Sequence, residues 1–469
     1  MKAKYLSALV AAVFLSVVPM VRAQSVPDAH EWLTNVDRSS LFAEQPGALH
    51  FSATAGDAPA ITVNDMQQFQ TIEGFGFAVT GGSAQLLMKM SAETRSALLK
   101  NVFSPDGDGI GASYIRLSIG SSDMNDHVYS YDDMPIGQTD STLAKFSLAP
   151  DEADVIPVVR QILAIDPQIK ILGSPWSAPA WMKTNDDVRG GHLKPEFYAA
   201  YAQYLTKYVE GMKAEGVSIT AITVENEPLN PKNTPSMAMF ADEEGTFIGK
   251  YLGPAFEAAG IKTEIELYDH NPDVPSYPLS ILADPVAGKY VSGTAFHLYG
   301  GDASTFSAVH DAYPNKNLYM TEQSVTQWPG SDTLDIAGPV DFVMIGATRN
   351  WARNALLWNL AADPKAGPHT NNGGCPSCYG AITLDGDKST LNVAYYVAAH
   401  FSKFVRPGSV RIGSSELEQL STAAFLTPEG KIVLVADNTG NFAKTFRIVY
   451  HGQSVSTTLP PESVATYVW

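Results

Sequence analysis

The stretch Ile219-Thr-Ala-Ile-Thr-Val-Glu-Asn-Glu-Pro-Leu-Asn230 begins as a short β-branched run and ends in two carboxylates flanking an amide. Its first half has the composition of a buried parallel strand. Pro228 removes a backbone donor and stops the ladder. A buried strand that delivers carboxylates at its C-terminal tip is a common way for a barrel enzyme to aim chemistry into a pocket. Taken alone, Glu225 and Glu227 read equally well as solvated groups at a strand end, so the decision falls to the rest of the chain.

On either side of this stretch the chain alternates strand and helix. Upstream, Thr71-Ile-Glu-Gly-Phe-Gly-Phe-Ala-Val79 is an apolar run whose glycines permit close backbone approach. An amphipathic segment over 83–102 follows, then a strand over 112–119, a helix over 154–165 and a strand over 169–173. The helix at 195–214 has Pro195 in its first turn, where the missing N–H costs nothing. Downstream come a helix at 247–259 and a strand at 263–268 with Asp269 and His270 at its tip. A strand at 291–298, a helix at 303–312 and a strand from 317 to 320 that ends toward Glu322 continue the pattern. A helix at 340–352, a strand at 355–359 and a helix at 393–404 close it. About eight alternations over roughly three hundred residues match a (β/α)₈ barrel, here assigned to 71–405. A doubly wound sheet is the rival, but Gly74-Phe-Gly76 does not complete a phosphate-binding loop. Asp106-Gly-Asp108-Gly109 resembles the start of a calcium loop, yet Ile110 occupies the third ligand position, so it reads as a turn.

From 406 to 469 the texture changes to short strands at 410–412, 431–436, 446–450 and 464–469, split by Pro428-Glu-Gly430 and Asn438-Thr-Gly440. That is an antiparallel β-domain. The short runs at 49–52 and 61–63, within 24–70, have no partner of their own and are expected to join it, giving one sandwich built from both chain ends. Residues 1–23 read as a secretory signal peptide: Lys2 and Lys4, an apolar run from Leu6 to Val18, then Val21-Arg22-Ala23. Its core is short for a membrane span, and an uncleaved anchor is the alternative. Its three basic and no acidic residues mean that removal takes the formal charge from −18 to −21. Such an anion does not bind nucleic acid or an acidic membrane by bulk electrostatics, and no stable membrane insertion is expected. A periplasmic or extracellular location follows from the leader. The two cysteines, Cys375 and Cys378, lie in a glycine-rich loop. Zinc needs a second pair and a redox motif a helix start, which leaves a loop-stapling disulfide as the favoured reading. Nothing in the sequence specifies an oligomeric state.

The residues at or just beyond the strand tips form a non-random set: Arg116, Asp123, Trp176, Asn226, Glu227, His297, Tyr299, Glu322, Trp358 and Asn359. Carboxylates, amides and aromatic faces suit a neutral polyhydroxylated ligand. Glutamates on barrel strands four and seven can face each other at roughly 5–5.5 Å, the spacing of a retaining glycosidase. Each residue also has a plainer reading. Arg116 would pair with a buried carboxylate, His297 would be a bonded core histidine, Trp176 and Trp358 would be packing, and Asp123 would cap a turn. No Ser/His/Asp set and no metal-ligand spacing appears, so neither metal nor cofactor is expected.

Motifs in order along the chain carry a resemblance. They are Ile72-Glu-Gly-Phe-Gly76, Tyr114-Ile-Arg-Leu117, Ser121-Ser-Asp123 with Tyr129-Ser-Tyr131, and Gly173-Ser-Pro-Trp-Ser-Ala-Pro-Ala-Trp-Met-Lys-Thr-Asn185. They continue in Val224-Glu-Asn-Glu-Pro228, Thr321-Glu-Gln323, Trp358-Asn-Leu360, His400-Phe-Ser-Lys-Phe404 and Thr466-Tyr-Val-Trp469. From about Gln70 to Trp469 the chain resembles glycoside hydrolase family 30 of the glucosylceramidase (acid β-glucosidase) type. The resemblance implies a (β/α)₈ barrel with a side sandwich and retaining hydrolysis of β-glucosides. It implies Glu227 as acid/base, protonated beside an ionised nucleophile Glu322, and Asn226 on the sugar 2-hydroxyl. Asp123, Trp176 and Trp358 would hold the glucose, with Arg116, His297 and Tyr299 tuning the carboxylates and Asn359 in support. The Gly374-Cys-Pro-Ser-Cys378 loop departs from the human-type enzyme and is similar to segments of microbial members, some acting on β-1,6-glucan. The leaving group therefore stays open between a glycolipid and a glucan. A carbohydrate-binding protein without catalysis is the rival from another class, and both carboxylates stand against it.

Overall fold

Eight apolar runs pair in parallel and the last closes on the first. In the computed structural model these barrel strands are β1 (Gly74–Ala78), β2 (Tyr114–Ile119), β3 (Lys170–Pro175) and β4 (Ala221–Thr223). β5 (Glu264–His270), β6 (Val291–His297), β7 (Asn317–Ser324) and β8 (Ala352–Trp358) complete the ring. The structure describes residue 1 and residues 26–54, 56–328 and 330–469. Apart from Met1, the export segment read over 1–23 lies outside the described residues. Among those described, no helix is long and apolar enough to cross a membrane.

The strands are buried on both faces because helices cover the ring, which is why they read as apolar runs rather than alternating ones. At Gly76 a Cβ would sit 2.0 Å from the Tyr114 carbonyl oxygen, so β1 can lie against β2 only with glycine there. The helix read over 83–102 is two, Gly81–Lys89 and Ala92–Phe103, divided where the Ser91 side chain caps the second. Strand β4 is much shorter than its sequence run. After Thr223 the chain leaves the ladder, and the Asn226 N–H donates to the Pro175 carbonyl at 2.7 Å.

Flanking the barrel is a nine-stranded sheet whose order interleaves the chain ends: Gln453–Leu459, Lys444–Tyr450, Ala60–Thr71, Val410–Ser414, Leu420–Leu426, Ile432–Asn438, Ser463–Val468, His30–Thr34 and Ala43–Glu44. It is antiparallel except at one join, where Ala60–Thr62 runs parallel to Arg447–Val449. The long strand Ala60–Thr71 produces that exception. Its start pairs with Lys444–Tyr450, and the rest crosses to Val410–Ser414 through two register shifts. The fully buried strand Ile432–Asn438 explains the docking. Ile432, Leu434 and Ala436 enter the sandwich core, while Val433 and Val435 join the core of the barrel.

His400, on the helix Val393–Ser402, pins the two units together. Its Nε2 lies 2.8 Å from the Thr34 hydroxyl and its Nδ1 2.9 Å from that of Thr466, on two different sandwich strands. Burial pushes its pKa down to about 3. The unfolded chain therefore binds a proton below about 6.5 that the folded chain refuses. The stability from burying neutral His400 is complete above that pH and erodes as pH falls toward 3. We predict that His400→Ala costs ~2–4 kcal/mol in denaturant titrations at pH 7, from a cavity and the loss of one hydrogen bond at each of two hydroxyls. The penalty should shrink at pH 4.5, and an equal penalty at both pH values would contradict the account.

Candidate active site

Arg116 lies at the open end of the barrel with a fully buried side chain. Carried by β2, it points across the barrel mouth rather than into the helices. Its Nη1 donates to Glu322 Oε2 at 2.5 Å, and its Nη2 donates to Asp269 Oδ2 at 2.7 Å and to Asn226 Oδ1 at 2.8 Å. Nε donates to the Ser174 hydroxyl at 3.2 Å. One guanidinium thus ties together the ends of β3, β4, β5 and β7, as only its planar fork of donors can. Asp269 takes three further hydrogen bonds, from Thr223 at 2.9 Å, Thr321 at 2.6 Å and the His297 ring at 3.1 Å. Despite burial, Arg116 and His297 hold its carboxyl far below the usual carboxylate range.

Three features aim the two glutamates. Glu227 sits at φ 50°, a left-handed conformation that a non-glycine residue keeps only when its surroundings enforce it. The Glu227 N–H donates to the Asp269 carbonyl at 3.0 Å, and its own carbonyl accepts the Asn230 N–H at 2.8 Å. A bulge in β7 between Met320 and Glu322, against β6, turns the Glu322 side chain inward. A second bulge lies in β5 between Tyr268 and His270. Carboxylate oxygens of Glu227 and Glu322 come within 4.8 Å of each other and of a His297 ring nitrogen. That spacing is near the ~5–5.5 Å of a retaining pair and too small for the attacking water of an inverting one.

His297 organises the charge between them. Its Nδ1 is 3.3 Å from Glu227 Oε1 and 3.9 Å from Glu322 Oε1, while Nε2 faces Asp269. Burial lowers its pKa, but Glu322 and Asp269 outweigh burial and raise it to about 9. Burial raises Glu227, yet the His297 ring, the Asn230 amide at 2.7 Å and His270 bring it down to about 2. Burial pushes Glu322 up against the pull of His297 and Arg116. The resemblance led to an expectation of a protonated Glu227. The surroundings of Glu227 favour its ionised form and those of His297 its protonated form, because the imidazole is wedged between acidic groups. The Tyr299 hydroxyl donates to Glu322 Oε1 at 2.9 Å and accepts the Ser324 N–H at 3.0 Å.

Around this centre the residues singled out in the sequence divide into two groups. Asp123, Glu227, Tyr299, Glu322 and Trp358 line an open cleft of about 580 Å³. One carboxylate oxygen of Asp123 is enclosed without a partner, and burial beside Glu322 and Glu227 pushes its pKa well up. Asn226, pinned through its oxygen by Arg116, keeps an amide nitrogen that makes no hydrogen bond to the protein. Trp176 stacks on Trp358 with ring centroids 5.3 Å apart and lies over the Arg116 guanidinium at 4.7 Å, supporting the cleft floor from below. Asn359 faces away, its amide donating to the Ala361 carbonyl at 2.9 Å. Cys375 and Cys378 form a disulfide, and Cys378 packs against Trp176 and Trp358. The loop bearing them is tied down on both sides: the Thr370 N–H donates to the Asp123 carbonyl at 2.8 Å, and its hydroxyl to that of Thr234 at 2.6 Å.

Asp269, His270, Asn230, Asn233 and Asn271 also belong to the site, and the strand-tip reading left them out. Asp269 and His270 were visible at the tip of the fifth strand, which was the available signal. The asparagines lie on loops whose path no periodicity reveals. The Glu227–His297–Glu322 spacing would admit a small cation. However, Arg116, Tyr299 and Asn230 already occupy the carboxylate oxygens, and Arg116 already supplies the positive charge, so the donor set does not suit a resident metal.

A closed parallel barrel with two facing glutamates at this spacing, gripped by an arginine and a tyrosine, defines a retaining β-glycosidase. The comparisons are more particular. Residues 72–405 match the Glycosyl hydrolase family 30 TIM-barrel domain, and residues 408–467 the Glycosyl hydrolase family 30 beta sandwich domain. The chain belongs to glycoside hydrolase family 30. It is 36% identical to an endo-1,6-beta-D-glucanase of Aspergillus fumigatus over 437 residues, covering 87% of each chain. A solved endo-beta1,6-glucanase superposes with a TM-score of 0.86 at 33% identity, over 94% of this chain and 99% of that one. The lysosomal acid glucosylceramidase of Mus musculus is 29% identical over 451 residues, covering 90% of this chain and 85% of the mouse protein.

Removing one side of the buried ion network strands the other. We predict that Arg116→Met destabilises the fold by ~3–5 kcal/mol in urea titrations at neutral pH, because Asp269 and Glu322 lose their shared counter-charge. A loss under ~1 kcal/mol would mean that the cluster tolerates its charges unaided.

Proposed function

We propose that this retaining β-glycosidase cleaves a β-linked glucose polymer, with β-1,6-glucan the leading candidate, rather than a glucosylated lipid. One observation carries the choice. Beside Glu227 the cleft is walled by Asn230, Asn233, His270, Asn271, Ser324, Ser377 and the Cys375–Cys378 disulfide, and among the described residues no aliphatic side chain lines it. A ceramide chain gains nothing from such a wall, whereas the hydroxyls of a second glucose find donors and acceptors. The names of the Aspergillus fumigatus relative and of the solved structure agree with this choice, and that of the mouse relative favours the lipid.

In this reading Glu322 attacks the anomeric carbon while Glu227 protonates the departing oxygen, giving a glucosyl ester on Glu322. Glu227 then takes a proton from water as the water opens the ester with net retention. Arg116 and Tyr299 hold the attacking carboxylate in place, and the free amide of Asn226 meets the 2-hydroxyl. Asp123 and Trp358 bind the non-reducing glucose, and Trp176 keeps Trp358 in place. His297 keeps the catalytic proton until the leaving oxygen draws it through Glu227. An exported location belongs to the same reading: a polymer is met outside the cell, and the Cys375–Cys378 disulfide suits an oxidising compartment.

Product analysis on β-1,6-linked glucose oligomers and on glucosylceramide tests the substrate. Internal cleavage of the oligomers with the lipid intact is expected, and ceramide release with intact oligomers would overturn the choice. Glu322→Gln should abolish turnover. Glu227→Gln should lose on the order of 10²–10⁴ in rate, least for aryl glucosides with good leaving groups. Substantial activity in Glu322→Gln would refute the nucleophile assignment.

The proton on His297 sets the alkaline limit. It is retained below about 9 and lost above it, so kcat/KM, which reports the free enzyme, should fall with a basic limb near that value. His297→Asn should lower that limb by ~2 units or more, as Glu227 then holds its proton alone. A limb unmoved by the substitution would place the proton elsewhere.

A further inference from the structure

His270 ends β5 beside Glu227, is 7% exposed, and among the described residues finds no hydrogen-bond partner for either ring nitrogen. Its Nδ1 is fully enclosed without a partner, and the nearest charged atom, Glu227 Oε1, lies at 3.9 Å, beyond hydrogen-bonding range. Nε2 is open to the cleft that the ring lines. The two other buried histidines near these elements use both nitrogens: His297 on Glu227 and Asp269, His400 on Thr466 and Thr34. A buried ring whose one cleft-facing nitrogen has no protein partner is left to bond what enters the cleft.

Glu227 does not need that partner. It already receives the His297 ring and the amides of Asn230 and Asn233. The glycosidic oxygen must lie within about 3 Å of the Glu227 carboxylate when it is protonated. The cleft-facing Nε2 of a ring this close to Glu227 is then placed for a polar atom of the leaving unit, a ring oxygen or hydroxyl beyond the bond being cut. We infer that His270 is a specificity residue whose ring hydrogen-bonds the leaving sugar, so that the site takes a polyhydroxylated leaving group in preference to an apolar one. The open nitrogen of a neutral imidazole donates or accepts according to the tautomer, and a sugar hydroxyl can answer either. Burial favours that neutral form, since it lowers the pKa of His270 against the pull of Glu227. The assignment rests on the glucan reading and deepens it.

The test compares kcat/KM on a β-1,6-linked glucose oligomer with kcat/KM on an aryl β-glucoside, whose leaving group has no hydroxyls. In His270→Ala the oligomer-to-aryl ratio should fall on the order of tenfold, the weight of one lost hydrogen bond and its stranded partner. In His270→Gln, whose amide reaches the position of Nε2, the ratio should return to within about threefold of the parent. An unchanged ratio in a folded His270→Ala overturns the assignment. So does an equal loss on both substrates with a shifted basic limb, which would make His270 a partner of Glu227's proton. If the parent cuts another glucosyl–glucose linkage instead, the same ratio is measured there, so the β-1,6 choice fails separately. A parent that cuts aryl glucosides but no glucosyl–glucose bond of any linkage overturns both.

Discussion

A single guanidinium sealed inside a barrel holds the catalytic end of this protein together. Arg116 faces Asp269, Glu322 and Asn226 at once, and every one of these lies on a different strand or strand tip. Burying so many acidic groups would be prohibitive without it. With it, the geometry of β2, β4, β5 and β7 becomes one rigid unit, and the spacing of the two glutamates follows from that unit rather than from either glutamate alone. His297 lies between them, its pKa raised by Glu322 and Asp269. Local strain completes the arrangement: the left-handed Glu227 and the bulges in β5 and β7 turn side chains that a regular ladder would send elsewhere.

The cleft has two characters. On the glucose side it is built on stacked tryptophans under an enclosed carboxylate, Asp123, and the disulfide loop braces both. On the leaving-group side it is a wall of amides, hydroxyls and one unpartnered imidazole. In the proposed function the first half meets the glucose. The second half, on which the proposed preference for a polymer over a lipid rests, lies on loops, where substrate preference changes most readily within one fold.

How much of this was legible in the sequence depended on burial. Parallel strands buried on both faces leave apolar runs, so all eight barrel strands could be found, and their tips exposed Arg116, Asn226, Glu227, His297 and Glu322 as a set. Asp269 was seen at a tip but not recognised as the second anchor of Arg116, because a buried ion pair between distant strands leaves no local pattern. The strands Leu420–Leu426 and Gln453–Leu459 were missed: Leu-Ser-Thr-Ala-Ala-Phe-Leu and Gln-Ser-Val-Ser-Thr-Thr-Leu are rich in small and hydroxyl side chains, which also read as turns. Only three residues of Ala60–Thr71 were read as strand, since its polar second half, Asn64 to Gln68, pairs across the sandwich edge rather than into a core. The resting place of the proton was not legible at all, because it depends on distances of a few ångströms among groups far apart in the chain.

The central claim is that the Arg116-held carboxylate of Glu322 is the group that bonds to sugar. Incubation with a 2-deoxy-2-fluoro β-glucoside bearing a good leaving group slows breakdown of the glucosyl ester, and peptide mass spectrometry then locates it. The account predicts a single fluoroglucosyl adduct on Glu322. An adduct on Glu227, or a hydrolysed reagent whose product has inverted configuration and no adduct, would contradict it.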